Sequence, residues 1–244
     1  MRDLNRLILI LTTFLFLGLL LFVSDKNYFK LQNISISQVD ESTRDWIFKD
    51  IKSKINLDTK AYIGKYVWEI DLKDLMETVE KDKRVNKVQI KRKFPNELEV
   101  KVLAHEPIAL FYTKDGSILP IARDGDFMPQ LKKGEFIDAP IMRDVVFYKD
   151  LSKRKKAIEI ILTLKEENPL SSQKVSEILF DKKQGFSLIL TPEAEIVRLG
   201  FDNFEKKIGM AKKVFSYMQS KGLKGRVIDV RFSKKVVVRL RNAP

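Results

Sequence analysis

The sequence contains no cysteine and only one histidine, His105, among its 244 residues. Without thiols the chain can form neither a disulfide nor a cysteine-ligated metal site, and it has no thiolate nucleophile. A single histidine excludes a pair of histidine ligands on one metal ion and leaves little basis for a histidine-centred catalytic relay. Neither of the glycine-containing phosphate-binding patterns G-x-G-x-x-G and G-K-[ST] occurs. The sequence therefore predicts no catalytic residues, no metal site and no cofactor.

Positive charge is in excess, with 46 lysines and arginines against 33 aspartates and glutamates. A basic balance is typical of proteins that bind nucleic acid or lie near an anionic membrane. Acidic residues alternate with the basic ones in nearly every segment, so we expect no clustered basic face. With 44% hydrophobic residues and 16 phenylalanines, the chain has enough apolar material to form folded domains. We expect no nucleic-acid partner and no small-molecule substrate.

An uncharged apolar run, LILILTTFLFLGLLLFV, fills positions 7–23. As a helix it would be about 26 Å long, near the lower limit for crossing a hydrocarbon core of roughly 30 Å. Arg2 and Arg6 precede the run, which favours a cytoplasmic N-terminus. The pattern predicts a cytoplasmic tail at 1–6 and a single transmembrane helix at 7–23. Through that helix the lipid bilayer would hold the rest of the chain on the side of the membrane opposite the cytoplasm.

Two other structures for this run fit the residues less well. A cleaved signal peptide needs small residues before the cut, and positions 21–25 read LFVSD, with no A-x-A-like site. The run is also longer than the usual apolar core of a signal peptide. A helix buried in a soluble domain would leave one face polar, and this run has no polar face. We therefore favour the retained membrane anchor.

Residues 28–105 have the pattern of a small α+β unit with the order β-α-α-β-β. Loose alternation over 29–37 indicates the first strand. The following helix is predicted to begin at Asp40 or Ser42, and Asp71 is predicted to cap the second helix. These elements precede a hairpin, which completes the unit.

The hairpin has the clearest alternation in the sequence, on either side of a turn at positions 94–97. Apolar and charged residues alternate with a period of two, which predicts one buried and one solvated face. The side chains predicted to be buried are those of Val88, Ile90, Phe94, Leu98, Val100, Val102 and Ala104.

A second unit is predicted at 106–241, because Pro107 disfavours a continuing helix or a central strand. Its strands are separated by turn signals such as Lys114-Asp115-Gly116. We expect a mostly antiparallel sheet accompanied by two helices. The predicted strands cover residues 108–112, 117–121, 175–180, 186–190, 196–199, 227–231 and 236–240.

The two helices of the second unit follow from apolar residues at helical spacing. One is predicted within 152–167. The other begins at a D-x-x-E capping pattern formed by Asp202 and Glu205 and ends before Gly222. The residues of the first helix that are predicted to turn inward are Ala157, Ile158, Ile161, Leu162 and Leu164.

An exported, anchored protein raises the alternative of a cell-wall transpeptidase-like enzyme, whose nucleophile lies in S-x-x-K. The sequence has two such matches, beginning at Ser152 and Ser171. With 14 serines and 33 lysines in the chain, about this many arise by chance, and neither K-T-G nor S-D-N occurs. We predict that the protein is not an enzyme, so that its function rests on interactions.

The last predicted strand, 236–240, lies close to the end of the sequence. A strand at the edge of a sheet offers unpaired amides and carbonyls to a strand of another protein. The alternative is an internal strand that is already paired on both sides, and the residues alone leave both possibilities open.

Several motifs, in this order behind one predicted anchor, resemble a known family. Residues 84–100, RVNKVQIKRKFPNELEV, are similar to the family segment p-V-x-x-A-x-V-x-R-x-x-P-x-x-L-x-V, with Lys87 where a small residue is common. Residues 105–109, HEPIA, resemble part of its E-x-x-P-x-A junction, with Ala104 in the place of the first glutamate. Residues 228–231, IDVR, resemble its (V/I)-D-L-R motif, and the Leu-Gly pair before the last helix also fits. On these motifs the chain resembles the bacterial cell division family FtsQ, called DivIB in other lineages.

The resemblance implies a non-enzymatic scaffold of the division machinery, concentrated at the division site. It implies a single-pass protein of the bacterial inner membrane, with the bulk of the chain periplasmic or otherwise extracytoplasmic. It implies the order cytoplasmic tail (1–6), transmembrane helix (7–23), POTRA domain (28–105) and β domain (106–241). It also implies that the β domain binds the coiled-coil partners FtsB and FtsL, with FtsB adding a strand to the sheet edge.

The resemblance also identifies candidate partner-binding residues near the end of the β domain. Arg231 would hold a partner carboxylate, while Phe232 and Leu240 would supply apolar anchors. Some family members have a glycine-containing turn where this chain has Ser-Lys-Lys. The full predicted set is Arg231, Phe232, Ser233, Lys234, Lys235, Val236, Val237, Val238 and Leu240.

Two further functions remain as alternatives at this point. A POTRA-containing protein of secretion or outer-membrane assembly would bind polypeptides in transit, but a β-barrel or further POTRA repeats would normally follow. A basic nucleic-acid binder would need a cytoplasmic location and a clustered basic face.

Overall fold

The computed structural model describes residues 2–23, 27–40, 45–164 and 170–241. The chain divides into two units, Met1–Ala104 and His105–Pro244. The sequence placed the boundary one residue later, between residues 105 and 106.

The predicted membrane anchor falls within helix α1 (Arg2–Val23). Large apolar side chains from Leu7 to Leu17 are exposed on all sides of this helix. Among the residues that the structure describes, no helix has the length and apolar character needed to cross a bilayer. The predicted transmembrane helix at 7–23 is therefore not confirmed.

Beyond α1, the first unit has the predicted β-α-α-β-β order. Its three strands form one sheet in the order β1-β3-β2, in which β1 runs parallel to β3 and β3 runs antiparallel to β2. A 3₁₀ turn, Lys60–Tyr62, follows the first of its two helices. The elements are β1 (Asn33–Gln38), α2 (Asp45–Thr59), α3 (Leu72–Glu80), β2 (Val85–Lys93) and β3 (Glu97–Ala104).

The helices of this unit begin and pack as their sequences require. The Oδ1 atom of Asp71 accepts hydrogen bonds from the backbone N–H groups of Lys73 (2.8 Å) and Asp74 (3.2 Å), so the predicted cap of α3 is confirmed. Of the two predicted starts of α2, Ser42 lies outside the described residues, whereas Asp40 is described and is not helical. The side chains that α2 and α3 bury against the sheet are Ile47, Ile51, Ile55, Leu75 and Val79.

The β2–β3 hairpin confirms the predicted turn and the buried face of β3, but the prediction for Phe94 was wrong. Strand β2 ends at Lys93, so Phe94 lies in the turn, where it is 62% exposed. The position that continues the face of Val88 and Ile90 is Arg92. Its guanidinium donates hydrogen bonds to two carbonyl oxygens of the connection before α3, and it thereby satisfies its polar atoms at the border of the core.

The second unit is built on one eight-stranded sheet with the order β11-β10-β9-β8-β7-β6-β4-β5. Three of its seven strand pairings are parallel, so the sheet is more mixed than the predicted, mostly antiparallel one. The strands are β4 (Pro107–Tyr112), β5 (Ile118–Ala122), β6 (Ile141–Met142), β7 (Val175–Asp181), β8 (Gly185–Leu190), β9 (Glu195–Gly200), β10 (Gly225–Asp229) and β11 (Val237–Leu240).

Three α-helices accompany this sheet in the described ranges, α4 (Val145–Lys149), α5 (Leu151–Thr163) and α6 (Phe204–Ser220), and a 3₁₀ turn, Ser172–Lys174, precedes β7. The sequence predicted only the two longer ones, because α4 has too few residues for a helical period to show. In α5 the predicted burial of Leu162 was wrong: Leu162 is exposed and Ile160 is buried instead. These two residues are two positions apart in the chain, which places their side chains on nearly opposite sides of the helix.

The start of α6 also differs from the prediction. Its N-cap is Asn203, in a left-handed conformation (φ 53°) and without a side-chain capping bond, so the predicted capping role of Asp202 and Glu205 was wrong. Instead, the Asp202 carboxylate accepts a 2.7 Å hydrogen bond from the Nζ of Lys207, a largely buried lysine. A buried ammonium group needs such a partner, and this bond occupies the Asp202 carboxylate. The predicted end of α6 before Gly222 is confirmed.

Candidate functional site

Strand β11 is an outer strand of the eight-stranded sheet. The sequence had left open whether this strand lies at an edge or inside the sheet. It pairs antiparallel with β10, with Val238 opposite Ile228 and Val237 opposite Asp229. On its other side, the described part of the chain supplies no strand. The outward-facing backbone of β11 is thus a free sheet edge within the described structure.

The opposite edge of the sheet, at β5, is covered by the chain itself. Residues 126–131 run along β5 and are joined to it by three backbone hydrogen bonds. These bonds link Ala122 N to Asp126 O (2.9 Å), Met128 N to Pro120 O (2.8 Å) and Leu131 N to Ile118 O (3.0 Å). Covering an edge in this way prevents pairing with other chains, so the two edges of this sheet differ in what they can bind.

The side chains of β11 and the residue before it alternate between the core and solvent. Val236 and Val238 are half-buried and pack against the hydrophobic core, whereas Val237 is 47% exposed and Arg239 is exposed. Leu240 would continue the inward series but is exposed at the end of the strand. The edge therefore presents one apolar and one cationic side chain on its outward face, with Leu240 at one end.

Phe232 and the turn before β11 form the other end of the edge. Phe232 is 42% exposed, and the Nζ of Lys235 lies 5.3 Å from the centre of its ring, in a cation–π contact. Ser233 and Lys234 are exposed between them. The turn thus combines an accessible aromatic ring with two lysines.

Arg231 has a carboxylate partner within its own chain. Its Nε atom donates to Asp229 Oδ1 (2.8 Å) and Oδ2 (3.1 Å), and an NH2 group donates to Oδ2 (2.6 Å). The backbone N–H of Arg231 adds a 3.2 Å bond to Oδ1. In this structure the carboxylate that the arginine holds is therefore that of Asp229, in contrast to the partner carboxylate expected from the sequence.

The pKa of Asp229 reflects this contact. Burial by itself raises the pKa of the Asp229 carboxyl, but the hydrogen bonds and charge of Arg231, with the charge of Arg198, outweigh it and leave the pKa below its ordinary value. The bond with Asp229 correspondingly raises the pKa of Arg231. Asp229 is thus a buried, ionised anchor for the segment that leads from β10 to Phe232.

The other end of β11 is held by residues that the sequence reasoning missed. Glu193, in the turn between β8 and β9, accepts hydrogen bonds on its carboxylate from the Nζ of Lys224 (3.0 Å) and from Arg241 (3.2 Å), which follows β11. Arg241 also donates to the backbone carbonyl of Glu193 and, through its own backbone, to that of Lys224. No spacing signal connects residues so far apart in the chain, so this clamp could not be found from the sequence.

The residues considered for catalysis lie in different surroundings. Ser152 and Lys155 are exposed in the first turns of α5, whereas Ser171 is buried. His105 is half-buried at the start of the second unit. Within the described ranges, no group of three or more histidine, aspartate or glutamate side chains could hold a metal ion.

The comparisons with known proteins fit the motifs quoted above. Residues 29–103 match the family model described as "POTRA domain, FtsQ-type". "Cell division protein FtsQ" of Geotalea daltonii is 22% identical over 231 residues, covering 91% of this chain and 80% of the relative. The protein of that name from Syntrophotalea carbinolica is 25% identical over 239 residues, covering 92% and 78%. The predicted resemblance to the FtsQ family is therefore confirmed, and residues 29–103 form a POTRA domain of the FtsQ type.

Proposed function

We propose that this chain is a non-enzymatic scaffold of the bacterial division machinery, whose β domain receives a strand from an FtsB-type partner along β11. An FtsL-type partner would join the same assembly. A role in cell division is supported by the curated relatives, which are named as cell division proteins and are matched over most of this chain. The observation that carries the finer proposal is the difference between the sheet edges, since β5 is covered and β11 is free in the described structure.

Recognition at β11 would combine backbone and side-chain contacts. Each main-chain hydrogen bond to an added strand contributes about 0.5–1.5 kcal/mol net, and alternate side chains supply selectivity. Phe232 and Leu240 are exposed apolar anchors at the two ends of the edge, and Val237 lies between them. Because the exposed cations Lys234, Lys235 and Arg239 accompany them, a partner strand with acidic residues fits best.

Arg231 contributes to this site by positioning rather than by direct recognition. Its bonds to Asp229 fix the backbone at the end of β10, immediately before Phe232. The clamp of Arg241 on Glu193 fixes the far end of β11. A strand held at both ends loses less conformational entropy when a partner binds, which increases affinity.

We further propose that residues 7–23 anchor the chain in the inner membrane, with the N-terminus cytoplasmic and both folded units periplasmic. The absence of charge in this run and the two preceding arginines support this orientation. The apolar side chains exposed on all sides of α1 also support a membrane anchor, because their contact with lipid is more favourable than their contact with water. The relatives' names support a role in cell division, so we expect the anchored chain to be concentrated at the division site.

The test is complementation of depletion in the native host. Depletion should give long filaments with segregated nucleoids and no septa, and the full chain should restore normal cell length. A chain that ends after Lys235 lacks β11 and should not restore it. Because that truncation removes a strand, Val237→Glu is the sharper variant: it places a negative charge at an exposed position of the edge, where it would repel an acidic partner strand, and leaves the core intact. We expect this variant not to restore normal cell length.

The matched control is Val145→Glu, on α4, where an exposed valine is replaced by the same residue away from β11. We expect this control to divide normally. Division that is fully restored by the chain ending after Lys235 would contradict the edge proposal. Normal cell length after depletion, together with an envelope or secretion defect, would instead favour the POTRA transport function.

A further inference from the structure

One end of the POTRA domain is formed by three separate chain segments. Asn33 pairs with Glu97 at the start of β1 and β3, and the backbone N–H of Gln32 donates to Asn96 O in the hairpin turn (2.9 Å). The segment before β1 also pairs with the connection between α2 and α3, through Leu31 N to Lys65 O (2.8 Å) and Val67 N to Phe29 O (3.1 Å). Residues 28–32, 62–70 and 93–97 therefore meet at the same end of the domain.

Aromatic side chains are concentrated at this end. The ring of Trp68 stacks on Tyr66 at 5.0 Å and contacts Phe29 at 5.3 Å, and Phe29 contacts Tyr28 edge-on at 5.1 Å. Trp68 is 50% exposed, and Phe94 in the hairpin turn is exposed further still. We refer to Tyr28, Phe29, Tyr66, Trp68 and Phe94 together as the aromatic end.

Lysines accompany these rings. The Nζ of Lys30 lies 5.9 Å from the centre of the Tyr66 ring, and that of Lys65 lies 5.0 Å from the Tyr62 ring. Lys93 adjoins Phe94 and forms a 3.5 Å ion pair with Glu97. Glu69 and Glu97 are the two acidic residues within 28–32, 62–70 and 93–97. Trp and Tyr rings with lysine at their border are typical of protein surfaces that lie at the level of lipid headgroups.

The aromatic end is rigidly supported. The guanidinium of Arg92 donates to Val67 O (2.8 Å) and Ile70 O (2.7 Å), so the segment that carries Trp68 is fastened to β2 on both sides of the ring. An exposed tryptophan that is held in place by the backbone is organised for contact with another surface.

The covalent chain limits how far this end can lie from the apolar run at 7–23. Tyr28 follows Val23 by five residues, which span at most about 18 Å when fully extended. The headgroup layer is itself about 5–8 Å thick on each side of the hydrocarbon core. Of the surfaces that could cover the aromatic end, the bilayer is thus the one that the chain brings within reach.

We propose that the aromatic end of the POTRA domain rests on the lipid headgroups of the membrane that holds residues 7–23, with Trp68 and Phe94 at the interface and Lys30 and Lys65 beside anionic lipid. This inference rests on the proposed anchor. The contact sets the orientation of the POTRA domain on the membrane, so that the domain is not a freely rotating spacer between the anchor and the β domain.

The chain contains only two tryptophans, Trp46 and Trp68, which allows a matched fluorescence test. Trp46 lies in the first turn of α2, about 20 Å along that helix from the 3₁₀ turn beside the aromatic end. The full chain would be reconstituted in vesicles of phosphatidylethanolamine and phosphatidylglycerol that contain a headgroup nitroxide label. The Trp46→Phe variant reports on Trp68, and the Trp68→Phe variant reports on Trp46.

We expect the label to reduce the emission of Trp68 by at least half and to leave that of Trp46 nearly unchanged. Equal quenching of the two, or unquenched Trp68 in a chain that floats with the vesicles, would overturn the lipid contact and leave the anchor standing. A chain that does not float with the vesicles would overturn both. Circular dichroism of the two variants checks that each is folded.

Discussion

The guanidinium of Arg231 donates hydrogen bonds of 2.8 Å and 2.6 Å to the two carboxylate oxygens of Asp229, which lies two residues earlier in the chain. The POTRA domain contains the same arrangement, in which Arg84 donates to Asp82 from its Nε (3.0 Å) and an NH2 group (2.7 Å). In both pairs the backbone N–H of the arginine also donates to the aspartate. An Asp-x-Arg sequence thus closes a rigid loop in each unit.

The pKa of both aspartates is lowered in the folded chain. Burial alone raises the pKa of Asp82, but the bonds and charge of Arg84 and the charge of Lys54, 3.4 Å away, outweigh it, as Arg231 does for Asp229. An aspartate whose folded pKa is depressed stabilises the fold above its unfolded pKa of about 3.9. That contribution is lost as the pH falls through the folded pKa.

We therefore predict that Asp229→Asn lowers the free energy of unfolding at neutral pH by about 2 kcal/mol, because the arginine loses a charged, buried partner. The difference between the variant and the natural chain should shrink as the pH falls below the unfolded pKa of about 3.9, and it should vanish once the pH has fallen through the lowered folded pKa, where the natural aspartate is also neutral. Denaturant unfolding at a series of pH values measures both effects. Asp138→Asn, at an exposed aspartate of the same unit, is the control and should change little. A difference that stays constant down to the lowest pH would show that the ionised form of Asp229 is not what stabilises the loop.

Phe232→Ala should weaken binding of an FtsB-type partner about tenfold, or about 1.4 kcal/mol, since an exposed aromatic anchor at an interface is typically worth that much. The measurement is a titration of the full chain in detergent with the partner's extracytoplasmic segment. Phe136→Ala is the matched control: Phe136 is 74% exposed in the same unit, in the connection between β5 and β6. Unchanged affinity for the Phe232 variant would remove this residue from the proposed site.

Gly185→Ala should be among the most damaging single substitutions in the β domain. Gly185 has a φ of 77°, and an added Cβ would collide with the backbone carbonyl of Gly200 on the neighbouring strand β9. The unfavourable φ and the overpacking together should lower the free energy of unfolding by more than about 3 kcal/mol.

Gly134→Ala separates these two effects. Gly134 has a similarly positive φ of 92°, but the space around an added Cβ is open, so only the backbone cost of about 1–2 kcal/mol applies. Thermal unfolding of both variants gives the comparison. Equal losses of stability would show that the close approach of β8 and β9 contributes nothing.

Where a local pattern decides structure, the sequence was sufficient. The alternation from Leu98 to Ala104 has a period of two that only a strand with one buried face satisfies, and all four predicted residues are buried. Asp71 caps α3 through its own backbone neighbours, so distant residues have no part in it. The same locality explains why the predicted strands of the β domain are found within a few residues of their expected bounds.

The errors occur where a side-chain contact that no periodic pattern describes decides the local structure. Asp202 did not cap α6 because buried Lys207 takes its carboxylate. Phe94 is exposed because Arg92 fills the last inward position of β2 and bonds to carbonyl groups more than 20 residues earlier in the chain. Arg231 pairs with Asp229 because the chain leaves β10 in a geometry that a strand pattern does not describe.

By itself the sequence determined the periodic strands and helices, the uncharged run at 7–23, the lack of familiar catalytic constellations and the motifs of the FtsQ family, because each depends on residue types at short spacing. Only the tertiary structure decided which edge of the sheet is free. That depends on residues 126–131 folding back over β5, and on β10 pairing in parallel with β9 after the intervening helix α6. It also decided that Tyr28, Trp68 and Phe94 lie at one end of the POTRA domain, since three segments far apart in the chain meet there through backbone hydrogen bonds and strand pairing, which leave no signal in the sequence.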